Sequence, residues 1–219
     1  MTVLNQILGG TAHLLNDPTI QPVLERIYTQ AQVLADETNA GWSSPEELTD
    51  DKLGDFGFSL RPAQGELMYL LCRAQAPRVV VDFATSAGAS AIYLATALRD
   101  NGSDGKVISA DWRRERITTA EANLKAAGLS DYVELRCGEP GDVLDDLPGP
   151  IDFMWVDGWP QLSAPSRAYR VVSHLAPRIR SGALILNDAR EIDYVAYMRH
   201  NGGPFRTSLL DIGILSVRE

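Results

Sequence analysis

The sequence lacks the features that mark several protein classes. Its 219 residues include only two cysteines, Cys72 and Cys137, which lie in apolar surroundings and do not form a CxxC motif. We therefore expect buried free thiols and no disulfide or zinc framework. No apolar run reaches the roughly 18–20 residues that cross a bilayer, and the N-terminus lacks the basic start and the small-residue cleavage site of a signal peptide. These absences predict a soluble, cytoplasmic protein.

Basic residues are also scarce. The 20 Lys and Arg residues stand against 29 Asp and Glu residues, so the formal net charge is −9. A chain with this balance has no basic face for nucleic acid, and we expect neither nucleic acid nor a membrane among its partners. The 45% hydrophobic and 22% charged residues are typical of a compact domain with a full-sized core, which excludes a disordered chain.

The first 60 residues differ in pattern from the rest. Apolar residues from Ile20 to Leu34 recur with helical spacing, which predicts an amphipathic helix whose regular part starts at Pro22. Residues 41–57 are polar, acidic and interrupted by Gly and Pro, which indicates a loop and a candidate lid. We therefore expect one domain over residues 1–219, with a helical and lid segment at 1–60 and a core at 61–219.

From residue 61 onward, strand and helix patterns alternate. The predicted strands are 79–83, 106–111, 132–137, 151–157 and 183–188, and the predicted helices start at Pro62 or span 88–98, 114–127, 165–180 and 191–199. The last two apolar runs, FRTSLL and IGILSV, predict a closing β-hairpin. This alternation predicts an α/β fold with an open, doubly wound, mostly parallel sheet and helices on both faces. Ligands of such sheets bind at the carboxyl ends of the strands.

Two acidic residues end the first two predicted strands. Asp82 precedes a turn of small residues, 84–88, that leads into a helix, so the backbone there can approach a ligand and offer N–H donors. Asp111 ends the second strand, where a carboxylate can accept hydrogen bonds from both hydroxyls of a ribose. The turn is not GxGxxG, so a nicotinamide-dependent oxidoreductase is an alternative supported only by the βαβ unit and Asp111.

Two further carboxylates end the next predicted strands. Asp157 ends the fourth strand and is followed by Trp159, and Asp188 ends the fifth. Carboxylates at neighbouring strand ends can converge on a divalent cation, on a cationic ligand group or on each other. We therefore predict Asp157 and Asp188 as catalytic residues and as candidate metal ligands.

A series of motifs runs in order over roughly residues 55–190. These motifs are FSLRPAQGEL, VDFATSAGASAIYLA, GKVISAD, AEANLKAAGLSDYVELRCG, IDFMWVDGW and SGALILND. The series resembles the class I S-adenosylmethionine-dependent O-methyltransferases of the caffeoyl-CoA and catechol type. The resemblance implies a Rossmann-like methyltransferase fold with a seven-stranded sheet, S-adenosylmethionine as cofactor, a small aromatic or hydroxylated acceptor, and a homodimer.

The resemblance also implies contacts for each part of the cofactor. For the methionine portion, the implied contacts are Ala84, Thr85, Ser86 and Gly88, with Ser90 at its carboxylate and Asp157 at its ammonium group. For the adenosine portion, they are Asp111 at the ribose and Trp112, Glu139 and Pro140 at the adenine. Ser59 and Leu60 would cover the cofactor, and Asp82 and Trp159 are the remaining implied contacts.

The sequence departs from the family at the implied metal site. The family supplies two aspartates and an asparagine in the order Asp-Asn, whereas this chain has Asn187 and then Asp188, with Ala189 at the third ligand position. Neighbours along a strand point to opposite faces, so Asn187 and Asp188 are not expected to act together. Mg²⁺ can use as few as one or two carboxylates, so a Mg²⁺ or Ca²⁺ ion on Asp157 and Asp188 stays open. The alternative function is a methyltransferase-like protein with a binding or non-methylating role.

Overall fold

The computed structural model describes residues 15, 17–39, 60–157, 164–188 and 191–219. The predicted lid at 41–57 lies outside these residues. The helices are α1 (Gln21–Asn39), α2 (Pro62–Gln75), α3 (Ala89–Asp100), α4 (Arg114–Ala126), α5 (Pro140–Val143), α6 (Arg167–Leu175) and α7 (Ile192–Met198). The strands are β1 (Val79–Phe83), β2 (Lys106–Asp111), β3 (Val133–Cys137), β4 (Ile151–Val156), β5 (Ile179–Asn187), β6 (Phe205–Leu210) and β7 (Gly213–Arg218). In the part of the chain so described, no helix is long and apolar enough to cross a membrane.

The strands form one seven-stranded sheet in the order β3-β2-β1-β4-β5-β7-β6. The first five strands in this order are parallel, and β7 is antiparallel to both of its neighbours. The chain therefore builds outward from β1 to β3, returns to β4 beside β1, and then builds outward on the other side. A parallel sheet opens a ligand crevice at the carboxyl ends of the strands where the order reverses, here between β1 and β4.

Both faces of the sheet are covered by helices. Buried residues of α1, α2, α3 and α4 form one apolar cluster with one face, and those of α6 and α7 form a second cluster with the other. Consecutive residues of β1 show the division, because Val80 belongs to the first cluster and Val81 to the second. The predicted doubly wound α/β fold with a closing hairpin is confirmed.

The N-terminal helix α1 is tied to the turn after β1. Its apolar stripe, including Val23 and Ile27, is buried in the first cluster, as its periodicity predicted. Arg26 Nη2 donates to Asn123 Oδ1 at 2.8 Å, and Asn123 Nδ2 donates to the carbonyl oxygen of Ala87 at 2.9 Å. This chain of hydrogen bonds links α1 through α4 to the turn that borders the crevice.

Two sequence predictions about element boundaries and burial were wrong. The helix predicted for 165–180 ends at Leu175 and is followed by a 3₁₀ turn, because Pro177 has no N–H to continue an α-helix. Strand β5 therefore begins at Ile179, ahead of the predicted 183, and pairs there with Ile151 of β4. Cys72 is a buried free thiol as predicted, but Cys137 is partly exposed because β3 is the outermost strand on its side of the sheet.

Gly65 sets how closely α2 packs on α3, since a Cβ added there would overlap the buried ring of Tyr93. We expect Gly65→Ala to lower the free energy of unfolding by about 1–3 kcal/mol, because overpacking forces a rigid buried ring to shift. Urea unfolding measures this change. Gly141→Ala is the control, since a Cβ at Gly141 meets no atom within 4 Å. Equal stability of both variants and the wild type would contradict the packing argument.

Candidate active site

Backbone hydrogen bonds bring the predicted site residues to one edge of the sheet. The amide of Asp157 donates to the last carbonyl of β1 at 3.3 Å, and the amide of Asp188 donates to the last carbonyl of β4 at 3.2 Å. On the other side of β1, the amide of Ala84 donates to a carbonyl of β2 at 3.0 Å. These residues therefore line the carboxyl ends of β1, β4 and β5, at and beside the reversal in strand order.

The turn between β1 and α3 has an unusual backbone. Ala84 has φ 73° and Ser86 has φ 49°, a region that residues with a side chain rarely adopt. Gly88, with φ 89°, ends the turn, and a Cβ there would lie 3.2 Å from Ala120 of α4. Strained backbone of this kind is concentrated at ligand-binding turns. Contacts with surrounding residues hold the turn in this shape.

Asp82 lies fully buried beneath this turn. The hydroxyls of Ser109 and Ser90 donate to its Oδ2 at 2.6 and 3.1 Å, and its Oδ1 has no hydrogen-bond partner among the described residues. Burial raises the pKa of Asp82 to about 6; the two hydroxyls act against this rise, and the charge of Asp111 adds to it. A buried carboxylate oxygen without a donor is an acceptor for a ligand N–H or O–H. Ser90, only 4% exposed, supports Asp82 from the first turn of α3.

Asp111 joins the turn after β1 to the loop after β2. Its side chain is fully buried; Oδ2 accepts the amide of Ser86 at 3.0 Å, and Oδ1 accepts the amide of Arg113 at 2.9 Å. Arg116 Nη1 lies 3.7 Å from Oδ2. Each carboxylate oxygen has about two acceptor positions, so each keeps one that a ribose hydroxyl can use.

Trp112 and Glu139, both predicted adenine contacts, meet through an arginine. The guanidinium carbon of Arg167 lies 4.2 Å from the centroid of the Trp112 ring, and Arg167 Nη2 lies 3.5 Å from Glu139 Oε1. Pro140, the third predicted adenine contact, begins α5 directly after Glu139. No motif marks Arg167 in the sequence, because it belongs to a helix that follows β4 and only the fold brings it to the end of β2.

Asp188 is paired with a cationic side chain. Arg61 Nη2 lies 3.4 Å from Asp188 Oδ1 and donates to the carbonyl oxygen of Ile212 at 3.1 Å. Arg61 precedes α2, so this pair connects the N-terminal part of the chain to the end of β5. In the sequence, Pro62 after Arg61 predicted only the start of a helix, and nothing there predicted the contact with Asp188.

Asn187 faces away from this pair. Ile185 lies in the second apolar cluster and Leu186 in the first, so strand alternation turns Asn187 toward the second cluster. Its side chain is fully buried, and neither of its amide atoms has a hydrogen-bond partner among the described residues. The predicted separation of Asn187 from Asp188 therefore follows from the pleat of β5.

The described residues fit a divalent cation poorly. No group of three or more His, Cys, Asp or Glu side chains among them is arranged to hold a metal ion. The cation beside Asp188 is the guanidinium of Arg61. Mg²⁺ and Ca²⁺ require several oxygen ligands, of which these residues offer the carboxylates of Asp157 and Asp188.

The predicted ligand contacts and catalytic roles all stay predictions, and some of the positions concerned are not described. Ser59, Trp159 and Ala189 lie outside the described residues. Leu60, predicted to cover the cofactor from the N-terminal side, is buried in the first apolar cluster.

Comparison with known proteins agrees with the site. A family profile described as "Methyltransferase domain" matches residues 82–189, which runs from Asp82 beneath the turn to the end of β5. A catechol O-methyltransferase of Niastella koreensis is 30% identical over 135 residues, covering 59% of this chain and 57% of that protein. A catechol O-methyltransferase of Mycobacterium tuberculosis is 32% identical over 147 residues, covering 62% of this chain and 64% of that protein. The matches thus span less than two thirds of either relative.

Residues 82–189 are therefore similar to the methyltransferase domain family, and about three fifths of the chain is similar to catechol O-methyltransferases. Solved structures share its fold over nearly the whole chain. An O-methyltransferase from Bacillus cereus, in complex with SAH, has a TM-score of 0.67 at 18% identity and covers 100% of this chain and 98% of that one. An O-methyltransferase from Streptomyces achromogenes, in complex with SAM, has a TM-score of 0.65 at 17% identity and covers 99% of this chain and 96% of that one.

The buried carboxyl of Asp82 makes stability depend on pH. Because its folded pKa of about 6 lies above the ordinary 3.8, the wild type loses stability as pH rises between these values. At 1.36 kcal/mol for each unit of pKa, the whole effect is about 3 kcal/mol, of which roughly 2 kcal/mol is lost between pH 4 and pH 7. We expect Asp82→Asn to remove this loss. Between pH 4 and pH 7, the free energy of unfolding of the variant should therefore rise relative to that of the wild type by the same amount.

Urea unfolding at a series of pH values measures the difference. Asp104→Asn, which removes an exposed carboxylate paired with Arg78, is the control and should follow the wild type. A constant difference between Asp82→Asn and the wild type from pH 4 to 7 would show that Asp82 titrates normally.

The buried amide of Asn187, which has no partner in the described part of the chain, is expected to lower stability. We expect Asn187→Leu, which replaces the amide with an apolar group of similar shape, to raise the free energy of unfolding by about 1–2 kcal/mol. Asn123→Leu is the matched control, because its buried amide is bonded to Arg26 and Ala87 and its loss should destabilise. Thermal unfolding compares the three proteins. Destabilisation by both substitutions would show that Asn187 has a partner in the folded protein.

Proposed function

We propose that this protein transfers the methyl group of S-adenosylmethionine to a small aromatic or hydroxylated acceptor. The observation that carries the proposal is the pair of buried carboxylates at the reversal in strand order. Asp82 holds an unpartnered oxygen beneath the turn, and Asp111 joins the two loops beside it. The names of the two relatives and the SAM- and SAH-bound structures of the same fold support it.

The chain offers a group for each part of this cofactor. Asp111 would accept hydrogen bonds from the ribose, and Trp112 with Glu139 would border the adenine. The turn from Ala84 to Gly88 would lie along the methionine portion, and Asp157 at the end of β4 would face its ammonium group. The bound cofactor supplies an electrophilic methyl group on a sulfonium sulfur.

Methyl transfer from a sulfonium is an in-line displacement. A lone pair of the acceptor oxygen forms the new bond to the methyl carbon, while the carbon–sulfur bond breaks and its electron pair stays on sulfur. The protein contributes by aligning acceptor and methyl group and by excluding water. Asp157 and Asp188 end the two strands at this position, and either carboxylate can take the proton that the acceptor hydroxyl loses.

We further propose that the transfer needs no divalent cation. Arg61 places a positive charge 3.4 Å from Asp188, and the strand pleat turns Asn187 to the other face of the sheet. A positive charge at this position favours an ionised acceptor oxygen, which is the electrostatic effect that a cation would have. This role for Arg61 is compatible with catechols and other acidic hydroxyls.

The proposal also includes the assembly and organisation implied by the family. These are a homodimer, a cytoplasmic location and one functional domain over residues 1–219. The bonds from Arg26 of α1 through Asn123 to the turn after β1 support the last point, because they join the N-terminal segment to the site.

Calorimetric titration with S-adenosylhomocysteine tests the cofactor site. We expect micromolar binding that is the same with Mg²⁺ and with a chelator. Asp111→Asn should weaken it at least tenfold, because hydrogen bonds to a charged group contribute about 1.5–3 kcal/mol. Asp104→Asn, at the opposite end of the sheet, should bind like the wild type.

Other outcomes would each contradict a stated part of the proposal. No binding of S-adenosylhomocysteine under either condition would contradict a methyltransferase. A saturable heat of Mg²⁺ binding that Asp188→Ala removes would show a metal site and refute metal-free transfer. Tight cofactor binding without methyl transfer to any of a panel of catechols, phenols and other hydroxyl compounds would favour a non-methylating role.

A further inference from the structure

Arginine side chains cover the groups that would hold adenosine. Arg116 lies 3.7 Å from Asp111, the proposed ribose contact. Arg167 lies 4.2 Å from the ring centroid of Trp112 and 3.5 Å from Glu139, the proposed adenine contacts. The guanidinium of Arg116 is more distant from the Trp112 ring, at 6.0 Å. Arg167 is therefore the arginine in direct contact with the ring on which adenine would stack.

The space between Arg167 and Trp112 is too narrow for a base. An inserted aromatic ring needs about 3.5–4.0 Å to the atoms on each side, so the guanidinium and the indole would have to be roughly 7–8 Å apart. They are in stacking contact at 4.2 Å. A base that stacks on this face of Trp112 therefore has to displace the guanidinium.

We propose that Arg167 is a displaceable cap on the adenine subsite. In the structure its guanidinium stacks on Trp112 and covers this face of the indole. When adenine binds, the guanidinium leaves this face. The inference rests on the proposed function, since it requires a cofactor with an adenine ring.

The surrounding contacts allow the side chain of Arg167 to move while its backbone stays in place. Ser166 caps α6 by accepting the amide of Tyr169 at 3.2 Å, and the amide of Ser166 donates to Asp193 Oδ2 at 2.6 Å. These bonds hold the first turn of the helix.

The ion pair of Arg167 permits the same movement. Its partner Glu139 has a side chain that is 51% exposed, and the pair is long at 3.5 Å. Ion pairs are weak where a partner is open to solvent, so Arg167, whose own side chain is 14% exposed, can leave Trp112 by following Glu139 outward.

A cap of this kind lowers the apparent affinity in proportion to the time it covers the site. It does so by slowing association, because the cofactor binds only when the indole face is open. Removing the cap should therefore raise the association rate constant and leave the dissociation rate constant unchanged. A residue that contacts bound adenine would behave differently, because its removal would speed dissociation.

The test compares wild type, Arg167→Ala and Arg167→Met, the last of which keeps most of the apolar stem. Calorimetry gives Kd for S-adenosylhomocysteine and for 5′-methylthioadenosine, which retains adenosine and lacks the amino-acid part. Stopped-flow tryptophan fluorescence gives the two rate constants. We expect both variants to bind both ligands about three- to tenfold more tightly, through faster association, in line with the strength of an arginine–aromatic contact.

Arg170→Ala is the control, because Arg170 is exposed and lies about one turn further along α6. Its Kd for both ligands should stay within twofold of the wild-type value. Weaker binding or faster dissociation in the Arg167 variants would overturn the cap and make Arg167 an adenine contact. Unchanged affinity in both variants would also overturn it. Failure of the wild type to bind either ligand would instead contradict the proposed function, and the cap with it.

Discussion

The site depends on the carboxylate of Asp111. It accepts an amide from the turn after β1 and another from the loop after β2, so it holds together the two segments that border the ligand crevice. A buried carboxylate is stable only where donors surround it, and here backbone amides provide them. The strained turn at Ala84 and Ser86 keeps its shape partly for this reason.

Charge is distributed unevenly around Asp111 and the neighbouring strand ends. The chain is acidic overall, with a net charge of −9, yet arginines lie against the carboxylates of the candidate site. Arg116 approaches Asp111, Arg167 approaches Glu139, and Arg61 approaches Asp188. These cations offset the negative charges of carboxylates that would otherwise repel one another.

Much of the fold could be predicted from local pattern. Strands such as β1 and β2 are short apolar runs, and turn residues separate them from amphipathic helices, so the alternation indicated a parallel α/β sheet. The ends of some elements could not be predicted, because they depend on partners elsewhere in the chain. Ile179 has a pattern compatible with the preceding helix, and it is in a strand because β4 lies beside it and Pro177 stops the helix.

The sequence by itself determined which residues end the strands of the sheet, and therefore that Asp82, Asp111, Asp157 and Asp188 would meet at one edge. This follows because parallel strands all present their carboxyl ends on the same side. Only the tertiary structure decided which side chains approach these carboxylates from other elements. Arg61, just ahead of α2, reaches Asp188 at the end of β5, and Arg167 reaches Trp112 from the helix after β4. No local periodicity encodes such pairs, since their geometry depends on how distant helices pack on the sheet.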